Sequence, residues 1–402
     1  MRVLIADRLA PFVAEQLEAA GCAVTVDPAL EGASLTAALQ ALDPAVLCVR
    51  STKVTAEHID AGRSLSLILR AGAGTNTIDV DAASLRGIYV SNCPGRNAVA
   101  VAELVFGHLI NLDRRLVDNA VDLRAGRWRK KEYEKARGLK GRTLAILGMG
   151  QIGQEVAARA RAFGMQVRAW SRSFTPEAAA ALGVQFAATP LDACRGAHAV
   201  TVHVAQTAET RHLLDERLLE ALAPGAYVIN TSRDGVLDHA ALLRAIERRG
   251  LRAGLDVFPG EPSAGEAEYR PEVAASPAVY GSQHIGASTN QASDAVGQAV
   301  VDGIVAFLRQ GRAPDCVNLA TETPATCVLV VRHADRVGVL AGVLEQLRQS
   351  ECNVQEMENI IFKGAAAAVA RIQLDRSPAA EGLARIAAHP DVFAASIVPL
   401  EA

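Results

Sequence analysis

The sequence predicts an α/β protein: two Rossmann-like, doubly wound units side by side, followed by a smaller ferredoxin-like βαββαβ domain. Three observations lead there. Up to Gly311, short β-branched runs alternate with Ala- and Leu-rich segments of helical period, the order found in parallel-sheet proteins. A glycine-rich turn, "GMGQIG" from Gly148 to Gly153, directly follows one of those runs. After "RAPDCVNLATETP", whose proline and polar content reads as a linker, the pattern restarts as strand, helix, strand, strand, helix, strand.

Taken in order, "RVLIA", "AVLCVR", "LSLILRAG" and "IYVSNC" are buried-strand runs, with helices in "PFVAEQLEAAG" and "SLTAALQAL". The stretch "AVAVAELVFGHLINLDRRLVDNAVDLRAG" reads as one long helix. A second alternation follows, with strands in "RTLAIL", "QVRAW", "AVTVHV", "YVIN" and "AGLDVF", and the helix "NQASDAVGQAVVDGIVAFLRQG" ends at Gly311. The last part has strands "CVLVVRHA", "NVQEMENIIF", "AAAAVARIQL" and "VFAASIVPL" around helices "VGVLAGVLEQLRQSE" and "AAEGLARIAAH".

Composition narrows the function classes. The chain has 402 residues, half of them apolar, enough to bury more than one core. A net charge of -3 creates no global field for nucleic acid or a membrane surface, so small molecules and further copies of the chain are the expected partners. The seven cysteines, Cys22, Cys48, Cys93, Cys194, Cys316, Cys327 and Cys352, are odd in number and form no close pairs. No metal site is expected from them, and they read as reduced thiols. Charges within "MRVLIADRLAPFV" argue against a signal peptide, and no membrane-length apolar run follows. A cytoplasmic location is expected.

The glycine turn sits in a specific context. "RTLAIL" precedes Gly148, and "QIGQEVAARARAFG" places Ile152, Val156, Ala160 and Phe163 on one helical face before Gly164. Gly148 would allow the tight turn, Gly150 the approach of a pyrophosphate, and Gly153 close packing of helix on strand. That is a dinucleotide-binding arrangement. About 20 residues past such glycines a carboxylate normally meets the adenosine ribose, but "QVRAWSRS" ends in Ser171 and Arg172. An Asp at 171 would repel a ribose phosphate, whereas Arg172 could pair with one. NAD and NADP both remain open as cofactor.

Arg233, Glu261 and His284 each stand just past a predicted strand, at the sheet edge where ligands of doubly wound proteins bind. A His beside a carboxylate suits proton exchange near neutral pH, and an Arg can grip a carboxylate with two N–H groups. Together they suit oxidation of a 2-hydroxy acid.

The segments "LGMGQIG", "INTSRDGVLD", "AGLDVFPGEP" and "HIGAST" resemble the D-isomer-specific 2-hydroxyacid dehydrogenases over about the first 318 residues. "VRSTKVTAEHID" and "LRAGAGTNTIDVDAASLRGIYVSNCPGRN" are similar to the substrate-side segments of the branch that acts on 3-phosphoglycerate, and the tail with "VRHADRVGVL" looks like an ACT domain. The resemblance implies a split substrate-binding domain (residues 1–94 and 288–318), a nucleotide-binding domain (95–287) and an ACT-like domain (319–402). It also implies roles. Arg233 would hold the substrate carboxylate, His284 would exchange the proton of the 2-oxygen, and Glu261 would orient His284. Gln151 and Ile152 would cover the pyrophosphate, with Thr231, Ser232, Asp256 and Gly286 near the nicotinamide. Arg50, Ser51, Arg70, Asn97 and the loop Gly72, Ala73, Gly74 would contact substrate. In "GRWRKK", Arg129 or Lys130 would reach a phosphate, across a subunit boundary. In the ACT turn, Asp335 and Val337 replace the usual Asn and Pro, while His333, Gly338 and Asn353 stay at family-like positions. An amino-acid effector held by His333, Asp335 and Asn353 is one expectation, and pure subunit assembly is the other. The activity implied is NAD(P)-dependent oxidation of a phosphorylated 2-hydroxy acid, D-3-phosphoglycerate, by a homodimer or homotetramer. An NADPH-using glyoxylate or hydroxypyruvate reductase is the second reading, and a non-catalytic nicotinamide-sensing scaffold the third.

Overall fold

The computed structural model describes residues 1–262 and 266–400. The chain divides into two compact units, Met1–Asn318 and Leu319–Ala402. The first unit holds two sheets. Its first sheet comprises β1 (Arg2–Ile5), β2 (Ala23–Val26), β3 (Val46–Val49), β4 (Leu67–Arg70) and β5 (Tyr89–Ser91), all parallel in the order β2-β1-β3-β4-β5. Every residue of β3 is buried, as expected of a parallel strand covered on both faces. The edge strand β2 is mostly exposed, although its Ala-Val-Thr-Val run is the same as that of the buried strand Ala199–Val202.

The second sheet comprises β6 (Thr143–Leu147), β7 (Gln166–Trp170), β8 (Gln185–Phe186), β9 (Ala199–Val202), β10 (Tyr227–Asn230), β11 (Arg252–Leu255) and β12 (Val279–Gly281). Its order is β12-β11-β10-β9-β6-β7-β8, again parallel throughout. The strand order reverses at β6, which opens a crevice beyond the carboxyl ends of β6 and β9.

Two local features differ from the sequence reading. The long helix is broken into Ala98–Arg114 and Leu116–Arg124, because Arg115 adopts a left-handed φ of 52°. Ion pairs of Arg115 with Asp118 (2.9 Å) and Glu132 (2.5 Å) hold that turn. The expected linker is structured in its middle: Val317 N–H donates to the Val90 carbonyl (2.8 Å), and Asn318 accepts from Val90 N–H (2.9 Å) and donates to the Ile88 carbonyl (2.9 Å). The helix Asn290–Gln310 also returns to this sheet, where Val300, Val301 and Ile304 share a core with Val3, Ile5, Val13 and Leu17.

The second unit has strands β13 (Cys327–Ala334), β14 (Val354–Ile361), β15 (Ala367–Leu374) and β16 (Val392–Pro399), antiparallel in the order β14-β15-β13-β16. Helices Val339–Gln349 and Ala380–Ala387 complete the expected βαββαβ order. Their Val343, Leu347 and Ile386 pack on Leu329, Val331 and Ile372. Among the described residues, no helix is long and apolar enough to cross a membrane.

Candidate active site

The glycine turn lies at the reversal point of the second sheet. Gly148 follows β6 at φ 106°, and a Cβ there would fall on the His203 carbonyl oxygen. A Cβ at Gly153 would fall on the Gly148 carbonyl oxygen. Both positions therefore need glycine for close backbone approach. Gly150, by contrast, faces open space at the start of the helix Gln151–Ala162. The first N–H groups of that helix are left for an anion. Gln151 folds its amide over Gly95.

Beside the turn lies a cleft of about 940 Å³. Of the residues singled out in the sequence, Ala73, Gly74, Asn97, Ile152, Thr231, Ser232, Arg233, Asp256, His284 and Gly286 line it. His203, which sequence reasoning passed over, lines it too. The Thr231 hydroxyl and His203 Nδ1 are buried with no hydrogen-bond partner. Orphaned polar atoms in a cleft beside an open glycine turn fit a polar dinucleotide. Burial pushes the His203 imidazole down to about 3, so that ring is uncharged at neutral pH.

His284 and Glu261 form a hydrogen-bonded pair at the cleft. His284 Nδ1–H donates to Glu261 Oε2 at 2.6 Å, and Glu261 Oε1 accepts from Phe258 N–H at 2.8 Å. With Nδ1–H committed, the other ring nitrogen is the one available for proton exchange. His284 itself sits at φ 53°. Asp256 holds the surrounding loop: its carboxylate accepts from Ser282 Oγ–H (2.6 Å), Ile285 N–H (2.9 Å) and Gly286 N–H (2.8 Å), and its carbonyl accepts from His284 N–H (2.9 Å). Asn230 shapes the turn that presents Arg233. Its Oδ1 accepts from Ser232 N–H (3.0 Å) and Ser232 Oγ–H (2.9 Å), and its Nδ2 donates to the Arg233 carbonyl (2.8 Å).

The first sheet supplies the opposite wall. Arg70, at the end of β4, donates through Nε to the Arg50 carbonyl at 3.1 Å and lies behind Gly72. A Cβ on Gly74 would stand 3.2 Å from Arg233 Nη2 and 3.9 Å from Arg70 Nη1. Burial lowers the Arg70 pKa, and the charges of Arg233 and Arg50 lower it further. Two guanidinium groups, Arg70 and Arg233, thus meet at Gly74, with the charge of Arg50 acting on Arg70, an arrangement that favours an anion. Ser51 is differently employed. Its N–H (3.1 Å) and hydroxyl (3.1 Å) both donate to Asp7, which also accepts from the backbone N–H groups of Arg50 (2.6 Å) and Thr52 (3.0 Å). Asp7 follows β1 at the reversal point between β1 and β3, a position the sequence reading left unassigned.

Other expected residues lie outside the cleft lining. Ser171 and Arg172 follow β7, with Arg172 exposed. Arg129 pairs with buried Asp122 at 3.3 Å. Arg129 and Lys130 border a separate hollow of about 250 Å³ with Trp128 and Tyr133. In the second unit, His333 is buried, with Nδ1–H donating to the Ala334 carbonyl (2.8 Å) and Nε2 3.1 Å from Asn359 Oδ1. Asn353 is not brought to it. Register pairs Leu374 with both Cys327 and Val354, and Ala368 with both His333 and Ile361, so Asn353 lies at the end of the sheet opposite His333 and Asp335.

A parallel sheet with a glycine turn at its reversal point, facing guanidinium groups from a second α/β lobe across a cleft, defines a two-lobed dinucleotide-binding protein. Residues 106–286 match the family model of the D-isomer specific 2-hydroxyacid dehydrogenase NAD binding domain. Hydroxypyruvate reductase of Thermotoga maritima is 40% identical over 262 residues, covering 64% of this chain and 83% of the relative. D-3-phosphoglycerate dehydrogenase of Mycobacterium tuberculosis is 35% identical over 361 residues, covering 88% of this chain and 66% of the relative. The structure of an NADPH-dependent glyoxylate/hydroxypyruvate reductase from Sinorhizobium meliloti, in complex with NADP and malonate, aligns at TM-score 0.65 and 29% identity, covering 79% of this chain and 96% of that one. The chain belongs to the D-isomer-specific 2-hydroxyacid dehydrogenase family. It spans between 52% and 66% of the length of the curated phosphoglycerate dehydrogenases it matches.

Proposed function

We infer that the chain catalyses the nicotinamide-dependent interconversion of D-3-phosphoglycerate and 3-phosphohydroxypyruvate, as a homo-oligomer. The observation that carries this reading is the meeting of Arg70 and Arg233 at the Gly72–Gly74 loop, with the charge of Arg50 also acting on Arg70. One guanidinium suffices for a carboxylate, and the remaining two suit a second, phosphate anion on the same small substrate. The similarity to the mycobacterial phosphoglycerate dehydrogenase supports it as well. That match covers 88% of the chain, more than Met1–Asn318 contains, so it extends into the second unit.

The residues divide the work as follows. Arg233 grips the carboxylate and polarises the 2-oxygen, helped by N–H groups of the Gly72–Gly74 loop. His284, held through Nδ1 by Glu261, takes the 2-hydroxyl proton on its other nitrogen as the C–O bond becomes a carbonyl. Arg50 and Arg70 hold the phosphate. The dinucleotide, when bound along the Gly148–Gly153 turn, supplies the acceptor for the C2 hydride. Exposed Leu116, Val117, Val121 and Leu123, with Trp128 80% exposed beside Arg129 and Lys130, form the apolar surface that a second copy would cover.

Ser171 and Arg172 favour a second reading, an NADPH-using glyoxylate or hydroxypyruvate reductase. Initial rates of purified full-length protein on 3-phosphohydroxypyruvate, glyoxylate and hydroxypyruvate, each with NADH and NADPH, separate the two. A kcat/KM for 3-phosphohydroxypyruvate at least about 10-fold above the others is expected, since a paired phosphate contributes about that factor or more. A preference for glyoxylate or unphosphorylated hydroxypyruvate would overturn the phosphoglycerate reading, and no turnover of any of them would favour the scaffold.

A further inference from the structure

Asp256 fixes the His284 loop through four hydrogen bonds, and its carboxylate is itself tethered from below. Ser282 Oγ–H donates to Asp256 Oδ1 at 2.6 Å, which leaves the hydroxyl oxygen free to accept. The partner is His108, whose Nε2 lies 3.1 Å away. A continuous chain therefore runs from His108 Nε2–H through the Ser282 hydroxyl to the Asp256 carboxylate.

His108 is buried on the helix Ala98–Arg114, bordering a hollow that Asn111, Arg115 and Tyr280 also line. Burying an imidazole costs free energy unless its polar atoms are bonded. The neighbouring strand makes room for the ring. A Cβ on Gly254 of β11 would stand 2.7 Å from His108 Cβ and Cγ. Burial also pushes the imidazole below its usual range, with the Asp256 charge opposing, so a neutral ring carries its single proton on Nε2 and donates it to Ser282.

We propose that His108 is a positioning residue for His284, acting through Ser282 and Asp256. The role rests on reading His284 as the acid/base. Asp256 grips Ile285 and Gly286 on one side of the loop and the His284 backbone directly. Rotation of its carboxylate is what would let the loop slide, and a non-glycine residue at φ 53° persists only where its surroundings over-determine it. The Ser282–His108 tether removes that rotation. His108 is not among the residues that line the cleft, so its effect reaches the chemistry through the loop.

The test compares full-length wild type with His108→Leu, His108→Gln, Ser282→Ala and the Leu/Ala double variant. Three quantities are read: kcat on whichever 2-oxo acid the wild type turns over, NADH binding by fluorescence, and hydrogen exchange of the Ile285–Gly286 amides. His108→Leu should lower kcat on the order of 10-fold, the scale of a small misplacement of a catalytic group, with NADH affinity within about 2-fold. Exchange at Ile285–Gly286 should accelerate. The Gln amide can reach the Nε2 position, so His108→Gln should recover most of both losses. The double variant should be no worse than the poorer single one, as for residues in one chain. Normal kcat and exchange in a folded His108→Leu protein, or losses equal in Leu and Gln, would overturn the proposal. So would losses in the double variant that multiply. A wild type that turns over no 2-oxo acid instead refutes the reading of His284, and the amide exchange then still decides whether the tether holds the loop.

Discussion

Arg70 and Arg233 come from different sheets and meet across Gly74, with Nη1 of one and Nη2 of the other 3.9 and 3.2 Å from where its Cβ would be. Like charges this close repel, as the lowered Arg70 pKa records after burial, and an anion between them relieves the repulsion. Arg70→Met should raise KM for a phosphorylated substrate at least about 10-fold with kcat little changed, because ground-state binding is what it removes. Arg233→Lys should lower kcat as well, since an ammonium cannot reproduce the paired contacts of a guanidinium. Steady-state kinetics of both variants check this, and unaltered constants in either would take that arginine out of the site.

His284→Asn removes the proton carrier and leaves the cleft wall in place. Turnover should fall by at least about 100-fold while NADH binding stays near that of wild type. Glu261→Gln, which keeps the shape but not the charge facing Nδ1, should fall by a smaller factor, on the order of 10-fold. Near-normal turnover in His284→Asn would sink the acid/base assignment.

Ser171 and Arg172 bear on the coenzyme. If Arg172 pairs with a ribose phosphate, Arg172→Ala should weaken kcat/KM for NADPH selectively, by roughly 5- to 30-fold for a partly exposed charged contact worth on the order of 1–2 kcal/mol. Ser171→Asp should shift preference toward NADH. Equal losses with both coenzymes in Arg172→Ala would mean that the side chain only stacks.

Acid should destabilise the first unit by a route unconnected with carboxylates. Burial holds His203 at about 3 and also lowers His239 and His108, below the unfolded value of about 6.5. Between those values the unfolded chain binds protons that the folded chain refuses. Stability is therefore whole above about pH 6.5 and declines as pH falls, by up to about 1.4 kcal/mol per pH unit per group. Thermal midpoints measured from pH 7.5 down to 5.5 should drop, and the drop should be shallower in His203→Asn. Parallel pH profiles for the two proteins would show that His203 is not responsible.

The two units have separate cores. A chain ending at Asn318 should therefore stay folded and keep its dehydrogenase chemistry, while its subunit number or its response to added serine changes. Analytical ultracentrifugation and initial rates with and without serine check this. Loss of activity in a soluble, folded truncation would mean that the second unit contributes to the site.

The dinucleotide turn and the residues Arg233, Glu261 and His284 could be singled out in the sequence because each falls past a strand end, and strand ends of a parallel sheet are where ligands gather. What sequence could not display depends on register or on neighbours remote along the chain. His108 at a helical core position reads as packing until Ser282, on another strand end, is brought beneath it. Asp7 gains meaning only when β3 lies next to β1 and presents three N–H groups to it. The break at Arg115 escaped because an arginine at positive φ carries no compositional mark and depends on Asp118 and Glu132. His333 and Asn353 fit a shared motif in sequence, yet antiparallel register sets them at opposite ends of one sheet.

The helix Asn290–Gln310 has a consequence for how the chain is made. The lobe built on β1 to β5 buries Val3, Ile5, Val13 and Leu17 against Val300, Val301 and Ile304, residues that leave the ribosome nearly three hundred codons after the first strand. Until then that lobe has an open apolar side, whereas the lobe from β6 to β12 is contiguous and closes by itself. At roughly 5–20 residues per second the gap between β5 and that helix amounts to about 10–40 s. The N-terminal lobe, first to be synthesised, is thus the later to mature, and nascent chains stalled within that interval should be bound by chaperones at β1 to β5.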